Sequence, residues 1–318
     1  SIRRQRQMFI RDRQYGEQDS TDPAVMKAVL QDVQYYAPAE VYGISLHGHG
    51  TGWFPPELNN LRQPMSGESY IEHDLRRPDN ALTRAYGPDG EEYMSAGDLV
   101  EGLSEIKFDY VIFDVCFMSS IELLYDLKDN ARYILASPAE IMGKGIPYHK
   151  VLPLLFSRDY PIDRRLASAA SAIVEYYRGE SYPSAAFTVV ATAGLQGVAD
   201  AVKRIFAAGV EEPDFGEIQY LEVLEPEHAF FDLKDYLKNI TGNGAAKSAY
   251  AEFETALANA IVAESHTPQI YSALGTGLSG GFFPADDVCG ISSYIPREWL
   301  PVTREAWYAT AWARYVMP

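Results

Sequence analysis

The chain has 318 residues with 27 Lys and Arg against 44 Asp and Glu, a formal charge of −17, and this negative surplus repels a phosphate backbone, so nucleic acid is not an expected partner. With 47% apolar and 13% aromatic residues, it can bury a large core, which excludes general disorder. No run of 18 apolar residues occurs, so no membrane span is expected, and the first residues lack the apolar stretch of a secretion signal.

Taken in chain order, the first feature is an arm in which Arg3, Arg4, Arg6, Arg11 and Arg13 stand against Asp12. It reads as a solvated strand edge or processed terminus more than as a binding tail. Residues 41–46 form a short apolar run that predicts a buried strand, ending in the turn His47-Gly-His-Gly-Thr-Gly52. A parallel sheet whose first reactive loop comes this early has little room for a complete first βαβ unit, so an upstream strand and helix are expected to be absent, disordered or processed off. Residues 54–97 are rich in Pro, Gly, Asn and Arg without a sustained period, and predict a long irregular insertion. A second buried strand is predicted at 110–115 with Cys116 at its end, then a helix over 119–129 and a strand over 133–136. Strand, helix, strand in so short a span is the signature of a parallel sheet. Helices near 163–178, 195–208, 232–239 and 245–264 follow, with a strand at 186–191 between the first two. The tail from 269 to 318 predicts a weak strand pair and one closing helix carrying Trp307 and Trp312. The fold class is α/β, with a mostly parallel central sheet flanked by helices. One division is expected, into 1–210 and a helical and mixed C-terminal portion, 211–318, packed on it.

Two cysteines, Cys116 and Cys289, give no disulfide framework. Cys116 sits where a buried strand yields to a helix, a position where backbone N–H groups favour a thiolate; the alternative is a buried structural cysteine. His49 lies between glycines on a loop open to close approach by a substrate backbone, and suits a general base. Carboxyl ends of neighbouring parallel strands face one crevice, so these residues can converge across the sequence. His47 and His49 also form an HxH pair, which leaves a metal site open as a rival, although no further ligand cluster of the usual spacing is near. Asp114 precedes Cys116 by two residues and shares its strand face.

The blocks His49-Gly-Thr-Gly-Trp53, Phe113-Asp-Val-Cys-Phe-Met118, Ala136-Ser137 and Gly143-Lys-Gly-Ile-Pro-Tyr148, in this order, resemble the clostripain family of cysteine peptidases, whose fold is shared with caspases, gingipains and legumains. The likeness is good over 15–155 and looser beyond, through Cys289-Gly-Ile-Ser-Ser-Tyr-Ile-Pro296. It implies a caspase-like three-layer fold in which His49 and Cys116 are the catalytic dyad. Attack of the Cys116 sulfur on a peptide carbonyl is implied, with backbone N–H groups of Gly50 and Cys116 holding the oxyanion. It further implies that Asp114 lines a pocket for a P1 Arg or Lys, with Ser137, Glu140 and Lys144 near the substrate; the rival for Asp114 is a carboxylate that bonds to backbone N–H groups and holds the strand end. Lys144 departs from the family, where many members carry an acid, and opposes a basic P1 unless it points to solvent or Glu140 compensates, so an acidic P1 remains the rival. Self-cleavage at Arg62, Arg76, Arg77 or Arg84 is implied for activation. No cofactor is required, and calcium at Glu91 and Glu92 or Asp286 and Asp287 is weighed against plain solvated surface. A peptide or protein substrate, a monomer, and a secreted or envelope location in a bacterium complete the expectation, with a catalytically silent binding protein as the alternative.

Overall fold

The structure is a computed structural model and describes residues 15, 18–54, 94–223, 228–242, 244–274 and 281–318. The basic arm, the four candidate cleavage arginines, and Glu91 and Glu92 lie outside these residues.

Helix α1 (Pro23–Tyr36) starts where Asp22 accepts from Ala24 N–H and Pro23 takes the first turn, a strong start signal. Strand β1 (Gly43–His47) follows. After the undescribed segment, Ser95 and Asp98 form a capping box that opens α2 (Ala96–Gly102). Strand β2 (Phe108–Asp114) buries Phe108, Val111, Ile112 and Phe113, each a contribution of about 1.5–3 kcal/mol. Then come α3 (Ile121–Asp126), β3 (Ala131–Ala136), α4 (Tyr148–Leu155) and α5 (Ile162–Arg178). In α5 the buried side chains Leu166, Ala169, Ala170, Ile173, Val174 and Tyr177 recur at helical spacing and form the apolar face. Strand β4 (Ala186–Ala191), α6 (Leu195–Ala207), β5 (Phe231–Asp232), α7 (Leu233–Asn239) and α8 (Ala245–Ala260) continue the chain. It ends in β6 (Ile261–His266), β7 (Gln269–Ser272), β8 (Gly281–Pro284), β9 (Ser292–Ser293), α9 (Pro301–Tyr308) and α10 (Ala311–Val316).

Among the described residues the central sheet has the order β1-β2-β3-β4-β6. The first three strands are parallel, β4 runs against β3, and β6 runs against β4. Helices α4 and α5 cover one face, while α1, α2, α3, α6, α8 and α10 pack together on the other, giving three layers. Gly43 is required in β1: a methyl group there would sit 2.1 Å from the ring of Tyr110, its registered partner.

Two expectations change. The helix expected at 245–264 ends at Ala260, because the β-branched pair Ile261-Val262 enters β6 and bonds to β4. Strand β6 thus belongs to the 211–318 portion yet completes the sheet of the 1–210 portion, so the two share one sheet. The single closing helix is two, divided at Thr310, whose hydroxyl accepts from Ala313 N–H and caps α10. The C-terminal portion is anchored directly behind β2: Ser292 N–H donates to Ser119 O, and Ser119 Oγ donates to Gly290 O at 2.8 Å.

Candidate active site

The last registered pair of β1 and β2 is His47 with Asp114. His49 and Cys116 each lie two residues beyond it, so the two loops leave neighbouring parallel strands side by side. They are also locked together. A methyl group on Gly50 would lie 2.3 Å from Val115 Cγ1, 2.9 Å from Cys116 O and 3.0 Å from Met118 Sδ, so only glycine lets the histidine loop rest on the cysteine segment. Gly52, at φ +62°, would bring a methyl 2.8 Å from Phe117 O.

Phe117, the residue after the cysteine, has φ 61°, a left-handed conformation that a bulky side chain adopts only under constraint. Its N–H donates to Ala139 O, and its ring stacks on Phe230 at 4.2 Å. Ser119 N–H donates to Ser137 O. The loop after β3 therefore runs alongside the segment that carries Cys116. It delivers the Ile141 N–H to Cys116 Sγ at 3.2 Å, a dipole that favours negative charge on the sulfur. Cys116 has no exposed surface in this conformation. Cys289 is also a free thiol, but burial pushes it well above its ordinary value, and its backbone N–H caps Asp232 Oδ2.

Asp114 is buried; Oδ1 accepts from Ile146 N–H at 3.1 Å, and Oδ2 lies 3.2 Å from His47 Nδ1. His47 is half exposed, with Tyr148 beside it at 5.0 Å between ring centres, and the Tyr148 hydroxyl meets Ser45 Oγ at 2.7 Å. These side chains all face α4 and α5. His47 is thus drawn to Asp114, and among the described residues no group of three or more His, Cys, Asp or Glu side chains is placed to hold a metal ion.

The remaining site candidates are separate from this pair. Lys144 is exposed and pairs with Glu180, whose hydrogen bond raises the lysine and is matched by a lowered Glu180. Glu140 is buried and its Oε2 accepts from Ala273 N–H, so its carboxylate is turned to the backbone just after β7 instead of to Lys144. Ser137 is buried, and its hydroxyl closes a turn with Ala139. Asp286 and Asp287 are exposed.

The sequence reading missed the Ile141 and Ile146 N–H groups and the twist at Phe117, which carry no residue-type signal. The contact between His47 and Asp114 had one: each stands two residues before a candidate catalytic residue, His49 or Cys116, at the end of a neighbouring parallel strand.

A three-layer α/β sandwich with a thiol and an imidazole on adjacent carboxyl-end loops has the architecture of a caspase-like cysteine peptidase. Comparison with known proteins agrees. The Clostripain family model matches residues 67–296, beginning after His49 and taking in Cys116. An inactive zymogen C11 protease from Parabacteroides distasonis is similar with a TM-score of 0.76 at 24% identity, over 96% of this chain and 79% of that one. A secreted C11 cysteine protease from Bacteroides thetaiotaomicron, solved with an irreversible peptide inhibitor, gives 0.74 at 26%, over 94% and 78%. A B. fragilis cysteine protease gives 0.64 at 28%, over 73% and 96%. Curated protein sequences return no match. The chain belongs to the clostripain family and is a cysteine peptidase.

Proposed function

We propose that the chain is an endopeptidase working through a Cys116–His49 dyad. The observation that carries this is the pairing of β1 with β2, which puts both residues at the same distance past the His47–Asp114 pair, with Gly50 seated on Cys116 O. The Cys116 sulfur adds to the scissile carbonyl, His49 passes a proton to the departing amine, and water then releases the acyl group. Backbone N–H groups of Gly50 and Cys116 hold the oxyanion, each worth about 2.7–4 kcal/mol in comparable sites.

Asp114 serves a P1 Arg or Lys, whose cation takes the place of His47 against Oδ2. The surface pairing of Lys144 with Glu180 favours this reading over an acidic P1. No step requires a cofactor. Cys116 is covered here, which fits a conformation that precedes activation by self-cleavage between β1 and β2, and the P. distasonis relative is a zymogen. A secreted bacterial enzyme is the matching location: among the described residues no helix is long and apolar enough to cross a membrane, and one similar structure is of a secreted Bacteroides protease.

A peptidyl chloromethyl ketone with Lys at P1 tests the dyad. Mass spectrometry should find the label on Cys116, absent in Cys116→Ala and at least 100-fold slower in His49→Ala. Label on Cys289, or undiminished labelling in His49→Ala, defeats the proposal.

A further inference from the structure

Alternation along β1 and β2 sends His47 and Asp114 to the α4/α5 face, and Leu46 and Phe113 to the opposite face. On that opposite face, directly beneath the histidine loop, lies a cavity of about 470 Å³. Its deeper wall is formed by Met26 of α1, Leu46 of β1, Leu99 of α2, Phe113 of β2, Met118, and Leu123 of α3, while Ser20, Thr21, Thr51 and Ser95 also line it. Its rim is the loop that carries His49 and Gly50. No Asp, Glu, Lys or Arg is among the described residues that line it. The volume falls within the range of about 300–1,000 Å³ usual for ligand pockets, and accommodates any single side chain.

We infer that this cavity is the subsite for the residue immediately after the scissile bond, and that it takes a large apolar side chain such as Leu, Met or Phe. The inference rests on the dyad reading above and extends it. In an extended substrate, successive side chains point to opposite sides. If the P1 side chain turns toward Asp114, the next one turns to the other face, where the cavity opens. The same residue contributes the nitrogen that His49 must protonate, and His49 stands on the cavity rim. Peptide geometry and proton delivery therefore converge on one place. A carboxylate entering here loses hydration against a mostly apolar wall and meets no Lys or Arg among the described residues that line it, so Asp or Glu is disfavoured. A buried Leu in place of Gly gains about 10- to 100-fold in kcat/KM.

The test uses active enzyme and internally quenched peptides that share one sequence through a P1 Lys and differ only in the next residue: Gly, Asp, Leu or Phe. Wild type should prefer Leu and Phe over Gly by 10-fold or more, and over Asp by a larger factor. Leu99→Trp fills the cavity, and Thr21→Trp, at its half-buried mouth, does so without disturbing the core. Each should reduce the apolar preference at least 10-fold. Labelling of Cys116 by the chloromethyl ketone, which carries no residue beyond P1, should stay within twofold of wild type in both. A flat wild-type profile overturns the inference. So does a preference that survives in the variants that retain normal labelling. If wild type is not labelled at all, the dyad reading fails first and this one with it.

Discussion

Replacing Glu122 by Gln removes a charge from the interior at constant volume, at the point where the helix behind Cys116 meets the C-terminal segment. In the native chain Glu122 Oε1 accepts from Trp307 Nε1–H at 2.9 Å, from Tyr294 N–H at 3.0 Å and from the Ser293 hydroxyl at 3.3 Å. Burial nevertheless outweighs these donors and pushes the carboxyl up from 4.5 to about 7. The folded chain therefore holds this proton more tightly than the unfolded chain does. Between those two pH values the native state binds more protons, so stability falls as pH rises. Glu122's favourable contribution is complete below about pH 4.5 and is lost as pH climbs through 7. A separation of about 2.5 between the two values amounts to ~3 kcal/mol. Glutamine keeps an oxygen for the three donors and does not titrate. Urea unfolding followed by circular dichroism at pH 5, 6, 7 and 8.5 should show the two proteins nearly equal at pH 5 and Glu122→Gln more stable by ~3 kcal/mol at pH 8.5. Asp232, also raised by burial to about 6, titrates in both proteins and cancels in the difference. A variant weaker than wild type by one amount at every pH would refute the reasoning, because it would mean that the carboxylate is ionised and held as an anion.

Gly50→Ala should lower kcat about 100-fold on a peptide substrate, since the added methyl drives the loop off Val115 and Cys116 and misplaces an oxyanion donor; a kcat within a few-fold of wild type would remove Gly50 from the mechanism. His47→Ala frees Asp114 Oδ2 for the P1 cation, and kcat/KM on Lys or Arg peptides should rise about 10-fold; a fall would show that His47 shapes the pocket instead of competing for it. Lys144→Ala should leave both the P1 profile from a substrate library and the thermal midpoint unchanged, because its partner Glu180 lies at the surface. A shifted profile would put Lys144 at the substrate.

The strands that build the site were legible because β1, β2 and β4 are apolar runs bounded by glycine, charge or turn residues, and Cys116 and His49 stand at their punctuated ends. Other elements gave no such mark. Helix α4 follows Pro147 and contains Pro153, so a proline-bearing octamer shows no helical signature. Strand β6 continues from an Ala-rich helix without a Gly or Pro between them, and a period of 3.6 runs unbroken into it. Side-chain partners across the fold were less legible still. Nothing in the local spacing of α3 marks Glu122 as a buried acceptor, yet it receives Trp307 from far along the chain. Glu140 sits four residues before Lys144 in sequence, but Ala273 claims its carboxylate. Such pairings depend on sheet register and on which loop covers which, quantities that local spacing does not encode.

Strands β1 and β2 flank the long segment between Phe54 and Met94, yet they pair along all of β1, and Lys27 of α1 binds Glu101 of α2 across the same gap. A backbone nick anywhere in that stretch would consequently free nothing. The imidazole would reside on one polypeptide and the thiol on another, joined by ladder bonds and by the glycine seat. Such a heterodimer would migrate as a single species in native buffer and part only in denaturant, and dissociating its short fragment would strip the histidine from the enzyme in one step.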